Sequence, residues 1–438
     1  MTFFSIVRDA ANFLWGPPML IFLLGSGLYL SLRLKGIQFT KFLPAIKELK
    51  KSIKSSGEGN ITPYQALMSV LSGIVGNGNL AGVATAIAVG GPGAIFWMWI
   101  SAFVLMAVMY TESLLGCKFR EKDKDGIYLG GPMVYIQRGL GWRSLAIAFA
   151  LAMAFKTLLA TTSIQSNSMS IVLQNQFGTP LLLSCGIIAV LTWIVVIGGL
   201  KKIARVAKIL VPFMTILYLG SGMLILIFNY HKLPLVFNEI FSYAFTSKGA
   251  IGGFSGATVM MALRYGAARG AYSNEAGTGS VAILYATAQS NDPQKQSLIA
   301  MLGVFIDTII ICTITALIIL MSGFWTQDGL NSTALVSQSF KTSLPFGDWI
   351  VLASSLLLGY TTLITWCFYG EQSAAFIFGD KIKIPYRWLF CLSIFIGANS
   401  NPENIWSWGD LLNAITVIIN LIGILGLGAV VVKTTFSE

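Results

Sequence analysis

The segment Ser72–Gly82 places four glycines and two asparagines in the middle of an apolar stretch. That stretch, Pro63–Val89, is long enough to cross a bilayer. Within lipid, backbone N–H and C=O groups must be satisfied by their own helix unless protein or a water-filled cavity surrounds them. The glycines and asparagines therefore predict an interrupted helix whose freed main-chain groups bind a small solute, as in many secondary transporters.

The composition is that of a membrane protein. Of the 438 residues, 55% are hydrophobic and only 11% are charged, which excludes an ordinary soluble globular protein. The first apolar run, Pro17–Leu34, is too long for a signal-peptide core, and no small-residue cleavage site follows it. We therefore expect it to remain as a membrane helix. The five cysteines show neither metal-ligand spacing nor a disulfide framework, so we interpret them as small apolar residues.

Membrane topology, and not a nucleic-acid partner, explains the net charge of +11. About eleven apolar stretches are interpreted as membrane spans. They are Pro17–Leu34, Pro63–Val89, Pro92–Gly116, Ser144–Gln174, Pro180–Gly198, Ile203–Phe228, Ile251–Leu263, Ser297–Met321, Asp348–Phe378, Trp388–Gly397 and Ser407–Val432. With the N-terminus outside and the C-terminus in the cytoplasm, most lysines and arginines fall in inner loops, as the positive-inside rule requires.

The spans after the first divide into two sets of five. An odd number in each set makes the second set run opposite to the first, and each set opens with an interrupted span, Gly73–Gly82 or Gly252–Gly279. Paired interruptions of this kind indicate a transport site. We predict an all-α polytopic protein in five parts. They are 1–62 (extra transmembrane helix and basic cytoplasmic loop), 63–228 (first repeat), 229–250 (outer loop), 251–432 (inverted second repeat) and 433–438 (cytoplasmic tail).

The glycines of the first interruption have two other interpretations. Gly76, Gly78 and Ala81 match the spacing of a dinucleotide-binding fingerprint, but that fingerprint needs a preceding strand in a soluble βαβ unit. The glycines could instead serve only close helix packing, as small residues do in membranes. Packing alone does not account for Asn77 and Asn79 at that depth. We favour a binding site, with packing as the open alternative.

The second polar motif is Arg264–Gly277. One interpretation is a cytoplasmic helix end with a charged cap. The other is a second broken helix that faces the solute around Ala262–Gly266, with Ser273, Asn274 and Glu275 closing the inner side. The sequence leaves both open.

The third polar motif, Tyr360–Glu371, has hydroxyl and aromatic side chains on one helical face. The residues that share this face are Thr361, Thr362, Thr365, Trp366 and Tyr369. Neighbouring oxygen ligands suit a hard cation, and an aromatic ring can wall an apolar pocket. The alternative is that the threonine hydroxyls only hydrogen-bond back to their own helix.

Polar residues inside the remaining spans need partners, because they are costly in lipid. Gln165 lies in a mid-span polar patch and either binds the solute or bonds between helices. Among the charged residues, Glu112, Lys156 and Asp307 lie within spans, and the depths of Lys156 and Asp307 are compatible with an ion pair.

These motifs resemble those of the alanine or glycine:cation symporter family, whose members carry amino acids with sodium. The resemblance covers nearly the whole chain. The motifs that carry it are Gly78–Ile87, Gly90–Trp99, Gly130–Met133, Arg269–Gly270 with Ser273–Gly277, and Tyr369–Glu371. It implies a leucine-transporter-like fold of five plus five inverted helices with one extra helix, and no enzymatic activity.

The resemblance also implies site residues. Sodium would be bound by backbone around Ser72, Val75 and Gly76 and by the hydroxyls of Thr361 and Thr362. The residues around the amino acid would be Gly76, Asn77, Gly78, Asn79, Gln165 and Trp366, to which the broken-helix interpretation adds Ala262, Tyr265 and Gly266. The family usually has threonine at position 77 and small residues at positions 156 and 365, where this chain has Asn77, Lys156 and Thr365.

Together, these features predict a sodium-coupled importer of a small neutral amino acid, alanine or glycine first, in the cell membrane. Sodium is the expected coupling ion, no other cofactor is expected, and the oligomeric state stays open. One alternative is a glutamine or asparagine symporter of the same family, since Asn77 and Thr365 add polar groups. Another is a non-transporting amino-acid sensor. A membrane enzyme would need clustered acids, whereas Glu112, Asp307 and Glu371 are far apart in sequence.

Overall fold

The chain folds almost entirely into helices. The computed structural model describes residues 3–54, 57–246, 259–327, 329–330, 332–399 and 402–436. In this part of the chain, seven helices are long and apolar enough to cross a membrane, or eight if one bent pair counts as a span. The count of eleven spans stays a prediction, and residues 251–258 of the predicted span Ile251–Leu263 lie outside the described residues.

The helices of the first half lie on both sides of the first interruption in the sequence. They are α1 (Phe3–Leu14), α2 (Pro17–Arg33), α3 (Ile37–Thr40), α4 (Phe42–Lys51), α5 (Pro63–Ile74), α6 (Val83–Gly90), α7 (Gly93–Lys118), α8 (Pro132–Tyr135), α9 (Arg143–Phe155), α10 (Thr162–Phe177), α11 (Leu181–Val196), α12 (Gly199–Phe228) and α13 (Leu233–Phe245). A short hairpin pairs Glu121–Lys122 with Tyr128–Leu129 in antiparallel fashion.

The described residues of the second half form ten further helices. They are α14 (Val259–Asn274), α15 (Ser280–Tyr285), α16 (Pro293–Val304), α17 (Thr313–Ser322), α18 (Ser332–Ser343), α19 (Gly347–Phe378), α20 (Lys383–Ser393), α21 (Ile396–Asn399), α22 (Pro402–Gly426) and α23 (Gly428–Phe436). Four π-helical segments widen the helix locally in the described residues. They are Gly78–Gly82 before α6, Ile136–Leu140 after α8, Lys156–Thr161 between α9 and α10, and Phe305–Cys312 between α16 and α17. Such π-helical turns are frequent at functional sites.

The start of α5 is fixed by a capping box. The Thr62 hydroxyl accepts from the backbone N–H of Gln65, the Gln65 side chain accepts from the backbone N–H of Thr62, and Pro63 takes the first helical position. These interactions satisfy donors that a helix start leaves free. The helix therefore begins at a defined residue and ends at the buried Ile74.

Glycines allow the helices around the site to approach closely. A Cβ atom on Gly266 of α14 would lie only 2.1 Å from the Ala94 carbonyl oxygen of α7. Both α5 and α10 pack against α19. The interior between these helices holds the residues described below.

Large apolar side chains cover the outward faces of α11 and α12. Ile187, Val190 and Ile194 of α11 and Ile209 and Ile216 of α12 are all exposed. A soluble monomer rarely exposes a continuous apolar surface of this kind, whereas lipid tails surround it favourably. The exposed faces thus agree with a membrane-embedded chain.

Candidate functional site

The first interruption is a true break between α5 and the segment Gly78–Gly90, whose axes differ by 53°. Val75 is extended, with φ −77° and ψ 93°. In an unbroken helix the Gly76 N–H would donate to the Ser72 carbonyl. Here it donates to Oδ1 of Asn79 at 2.9 Å, so the Ser72 carbonyl loses its usual donor. The predicted interruption at Gly73–Gly82 is confirmed.

Asn79 holds this break in place. Its Nδ2 donates to Oδ1 of Asp307 at 2.6 Å, while the Ser273 hydroxyl donates to Oδ2 of the same carboxylate at 2.9 Å. Asn79 and Asp307 are both fully buried. Both polar atoms of the Asn79 side chain are hydrogen-bonded within the protein. Asn79 therefore positions the backbone at the break and does not line the cavity described below.

Asn77 connects the break to two other helices. Its Nδ2 donates to Oε1 of Gln165 at 3.0 Å, and its Oδ1 accepts from the Ser355 hydroxyl at 2.7 Å. Gln165 belongs to α10 and Ser355 to α19. Asn77 and Gln165, both predicted to surround the substrate, therefore bond to each other within the protein. Gln165 still lines the cavity, whereas Asn77 lies behind its wall.

Trp366 and Thr365 fix α19 against the end of α5. The indole N–H of Trp366 donates to the Gly73 carbonyl at 3.1 Å, and the hydroxyls of Thr365 and Ser72 lie 2.5 Å apart. Thr365 thus packs on Ser72 and Gly73 and does not face the cavity, while Trp366 lines it.

The two threonines predicted to bind sodium point in different directions. Oγ1 of Thr362 lies 2.8 Å from the point where a Cβ on Gly76 would stand, so it faces the break. Oγ1 of Thr361 donates to the Leu358 carbonyl at 3.1 Å and lies 3.6 Å from the sulfur of Met214 on α12. The Thr362 hydroxyl also donates to Leu358, at 2.9 Å. Both hydroxyls bond back to their helix, and their remaining lone pairs are acceptors.

The second break lies further along the chain than the sequence predicted. Helix α14 runs without interruption from Val259 to Asn274, so a break around Ala262–Gly266 is wrong. The chain leaves the helix at Glu275, Gly277 and Gly279, whose φ angles are 60°, 94° and 75°. These left-handed angles end a helix, and glycine adopts them without steric cost.

Buried polar groups hold the second break. Oε1 of Glu112 accepts from the Gly277 N–H at 2.9 Å and also from Nδ2 of Asn420. Nδ2 of Asn420 donates in addition to the Gly277 carbonyl at 2.9 Å. Ala262, Tyr265 and Gly266, predicted to contact substrate, lie towards the other end of α14 and do not line the cavity.

Lys156 pairs with Glu275 and not with Asp307, so the ion pair considered from depth alone is wrong. The Nζ atom of Lys156 lies 3.7 Å from Oε2 of Glu275, 2.6 Å from Oδ1 of Asn413 and 4.5 Å from the ring centroid of Trp366. Depth along the membrane does not fix which neighbour a side chain meets, because lateral helix order decides that.

A small cavity of about 30 Å³ lies at the first break. It has room for little more than a water molecule. The predicted substrate residues that line it are Gly76, Gly78, Gln165 and Trp366, and Thr362 lines it among the predicted cation ligands. Lys156, Ser273 and Glu275 also form part of its wall, although they were absent from the predicted substrate and cation ligands.

Tyr272 separates this cavity from a second one. It lines both the cavity at the break and another of about 70 Å³ that is bordered by Trp15, Arg264, Arg269 and Asp410. An ion pair joins Arg269 of α14 to Asp410 of α22 at 3.9 Å. Tyr272 was missed from the sequence, although it lies in the motif Arg264–Gly277, because the break was expected nearer the start of that motif.

A separate acidic cluster on the loops already contains its cation. Asp123, Asp125 and Asp380 surround Nζ of Lys383 at 2.6, 3.0 and 3.0 Å. Burial lowers the pKa of Lys383, but hydrogen bonds to the three carboxylates outweigh that effect and raise the pKa above its ordinary value. The cluster is a loop-to-loop ion network.

Comparisons with known proteins agree with this architecture. The model of the sodium:alanine symporter family matches residues 1–437. The sodium/alanine symporter AgcS of Methanococcus maripaludis is 39% identical over 448 residues, which cover 100% of this chain and 98% of that protein. The probable sodium/glutamine symporter GlnT of Bacillus subtilis is 36% identical over 97% of this chain and 88% of its own length.

A solved structure supports the fold independently. The crystal structure of MhsT in complex with L-phenylalanine superimposes with a TM-score of 0.61 at 13% identity, covering 86% of this chain and 96% of that chain. The predicted leucine-transporter-like fold is therefore confirmed. Because the family model matches nearly the full length of the chain, the chain belongs to the sodium:alanine symporter family, a family of multi-pass membrane transporters for amino acids and cations.

Proposed function

We propose that this protein imports a small neutral amino acid, alanine or glycine first, together with sodium by alternating access. The observation that carries the proposal is the small cavity at the break between α5 and Gly78, whose wall combines freed backbone, the Gln165 amide and the Trp366 ring. Discontinuous helices of this kind form the substrate and ion sites of many secondary transporters.

The substrate carboxylate would bind backbone N–H groups at the break, and the ammonium would bind freed carbonyl oxygens and Gln165. Gly76 and Gly78 keep this backbone accessible, since they have no side chain to cover it. A Cβ on Gly76 would come within 2.8 Å of the Thr362 hydroxyl and 3.7 Å of Nε2 of Gln165. The site is therefore matched to a ligand that approaches main chain directly.

Two observations favour alanine or glycine over glutamine. The cavity of about 30 Å³ must already widen for a small amino acid. The extra polar groups of Asn77 and Thr365 have partners within the protein. Asn77 bonds to Gln165 and Ser355, and Thr365 bonds to Ser72. They therefore need no amide from a substrate. The similarity to GlnT keeps glutamine as the second candidate.

The proposed sodium site lies between the end of α5 and α19. Its ligands would be backbone oxygens around Ser72, Val75 and Gly76 together with the hydroxyls of Thr361 and Thr362. The Ser72 carbonyl supports this assignment, because its usual donor bonds to Asn79 instead. One charge moving through 100 mV supplies about 2.3 kcal/mol, and a tenfold sodium gradient adds about 1.4 kcal/mol. Together these sustain accumulation of several hundredfold.

The proposal includes the orientation and the internal repeat. The N-terminus would face outward and the C-terminus the cytoplasm, with residues 63–228 and 251–432 as inverted halves. The basic inner loops support this orientation through the positive-inside rule. Single-cysteine labelling at Ser5 and Lys433 from each side of the membrane tests it, and outward labelling of Lys433→Cys would refute it.

Uptake by proteoliposomes tests the function. Labelled alanine should accumulate with an inward sodium gradient and should not with choline in place of sodium. Unlabelled glycine should compete more strongly than glutamine. Equal uptake in sodium and choline would refute sodium coupling, and binding without measurable flux would favour the sensor.

The variant Thr361→Val with Thr362→Val tests the sodium site. It keeps the side-chain shape but removes both hydroxyls, so the apparent sodium affinity should collapse while the protein still inserts. Ser354→Ala, which removes a buried hydroxyl elsewhere on α19, is the control. Unchanged sodium dependence in the double variant would mean that the hydroxyls only bond back to Leu358.

A further inference from the structure

The cavity wall contains a fixed positive charge. Lys156 is only 4% exposed and Glu275 only 7%, and their charged atoms lie 3.7 Å apart. An isolated buried carboxylate is costly, so Glu275 needs a cation close by. Among the contacts that the structure describes for Glu275, the ion pair is with Lys156.

Two oxygen atoms and an aromatic ring are the described neighbours of the Lys156 ammonium. Oδ1 of Asn413 accepts from Nζ at 2.6 Å, and Oε2 of Glu275 lies on another side. The hydroxyls of Ser280 and Thr278 donate to the same carboxylate oxygen at 2.9 and 3.2 Å, which fixes its position. A preformed carboxylate with a neighbouring amide oxygen is a suitable ligand set for a hard cation.

We propose that the Lys156 ammonium occupies a cation site built by Glu275 and Asn413, and that this site takes a sodium ion when the ammonium is removed. Lys156 thus supplies from within the chain a charge that a sodium ion from solution would supply in Lys156→Met. The ammonium also stands between Trp366, 4.5 Å away, and the second break. The ammonium therefore lowers by one the number of cations that the cavity region binds from solution.

The test compares four purified proteins in detergent: the parent, Lys156→Met, Lys156→Met with Glu275→Gln, and Lys208→Met. Methionine keeps the length of lysine without its charge, and Lys208 is an exposed lysine of α12 that controls for loss of one positive charge. The melting temperature is measured in NaCl and in choline chloride. This readout needs no transport, so it stands even if the proposed function fails.

We expect NaCl to raise the melting temperature of Lys156→Met by several degrees more than that of the parent, because a bound ion stabilises the folded state. The double variant and Lys208→Met should respond like the parent. If Lys156→Met folds only in NaCl, that result supports the proposal as well. In proteoliposomes, where the readout rests on the proposed function, the Hill coefficient for sodium should rise by up to about one, because one more sodium site is filled.

Two results would overturn the proposal. One is a NaCl response of Lys156→Met equal to those of the parent and the double variant. The other is a Lys156→Met protein that does not fold in NaCl while the double variant does. In either case the Lys156–Glu275 pair would be a structural ion pair and not an occupied cation site.

Discussion

The two helix breaks at the centre of this protein are built differently. The first is held by neutral amides, since Asn79 takes the N–H of Gly76 while Asn77 bonds to Gln165. The second is held by the Glu112 carboxylate and by left-handed backbone. One break departs from the helix by exchanging a hydrogen-bond partner, the other by adopting angles that a helix cannot contain.

This difference bears on which break can move. Val75 is extended, but Asn77 has helical angles of φ −61° and ψ −14°, so little backbone rotation separates the first break from a helix. Gly277 and Gly279 have positive φ and are locked by packing around them. We expect the first break to change during transport and the second to act as a rigid support.

The largest expected effect concerns the rigid break. In Gly279→Ala a Cβ would stand 2.2 Å from Cγ of Pro132, at a φ of +75°. The strained backbone costs about 1–3 kcal/mol, and the overpacking adds about 1–3 kcal/mol, so the melting temperature should fall sharply. Gly82→Ala at the first break is the control, because its Cβ meets nothing within 4 Å. Equal melting temperatures would refute the claim of rigidity.

A smaller effect is expected when the amide at the first break is removed. Asn79→Ala frees the N–H of Gly76 to return to Ser72, so the break should shorten and uptake should be lost. Asp307 loses a donor as well, which costs about 1–3 kcal/mol of stability. Uptake and melting temperature are both measured, with Thr308→Val as the control that removes another donor to Asp307 away from the cavity wall. Normal uptake by Asn79→Ala would show that the amide does not maintain the break.

Gly76 and Gly78 of the first break differ in the space that is available for a side chain. In Gly76→Ala the new Cβ lies 2.8 Å from the Thr362 hydroxyl, so we expect a large fall in uptake with a nearly unchanged melting temperature. In Gly78→Ala the nearest atom, on Tyr272, is 3.8 Å away, an ordinary contact. Gly78→Ala should therefore keep more uptake. The reverse order would mean that the close approach at Gly76 is unimportant.

The smallest expected effect is on selectivity. Asn77→Thr removes the donor to Oε1 of Gln165, leaving that amide able to turn towards a substrate. Unlabelled glutamine should then inhibit alanine uptake a few-fold more strongly than in the parent. Glycine, which has no side-chain amide, is the control competitor. Identical inhibition by glutamine in both proteins would show that Asn77 does not influence specificity.

The sequence predicts the first break but misplaces the second for a physical reason. Gly76, Asn77 and Asn79 stand out because they are polar or flexible within an apolar span. The second break depends on a positive φ at Glu275, a residue that usually avoids such an angle. Its glycines lie beside many others in the segment, and no spacing distinguishes them.

Lateral contacts were harder to predict than depth. The sequence correctly indicated that Lys156 and Asp307 need polar partners within the membrane. It could not indicate that Lys156 meets Glu275 and that Asp307 meets Asn79. Each of these pairs joins residues over 100 positions apart. Asn77 also has its partners within the protein. From the sequence, the buried amide of Asn77 suggests a contact with substrate, because no partner is evident there.

Tyr272 has a consequence for the speed of the transport cycle. Because this one side chain lines both cavities, the partition between them is a single aromatic ring thick. Side-chain rotations are much faster than the microsecond-to-millisecond motions of helices. A turn of this ring alone would therefore join the two cavities, whereas a change at either break needs the slower motion of helices. A compound that lodges beside Asp410 and holds the ring in place should therefore keep the two cavities apart without entering the cavity at the first break.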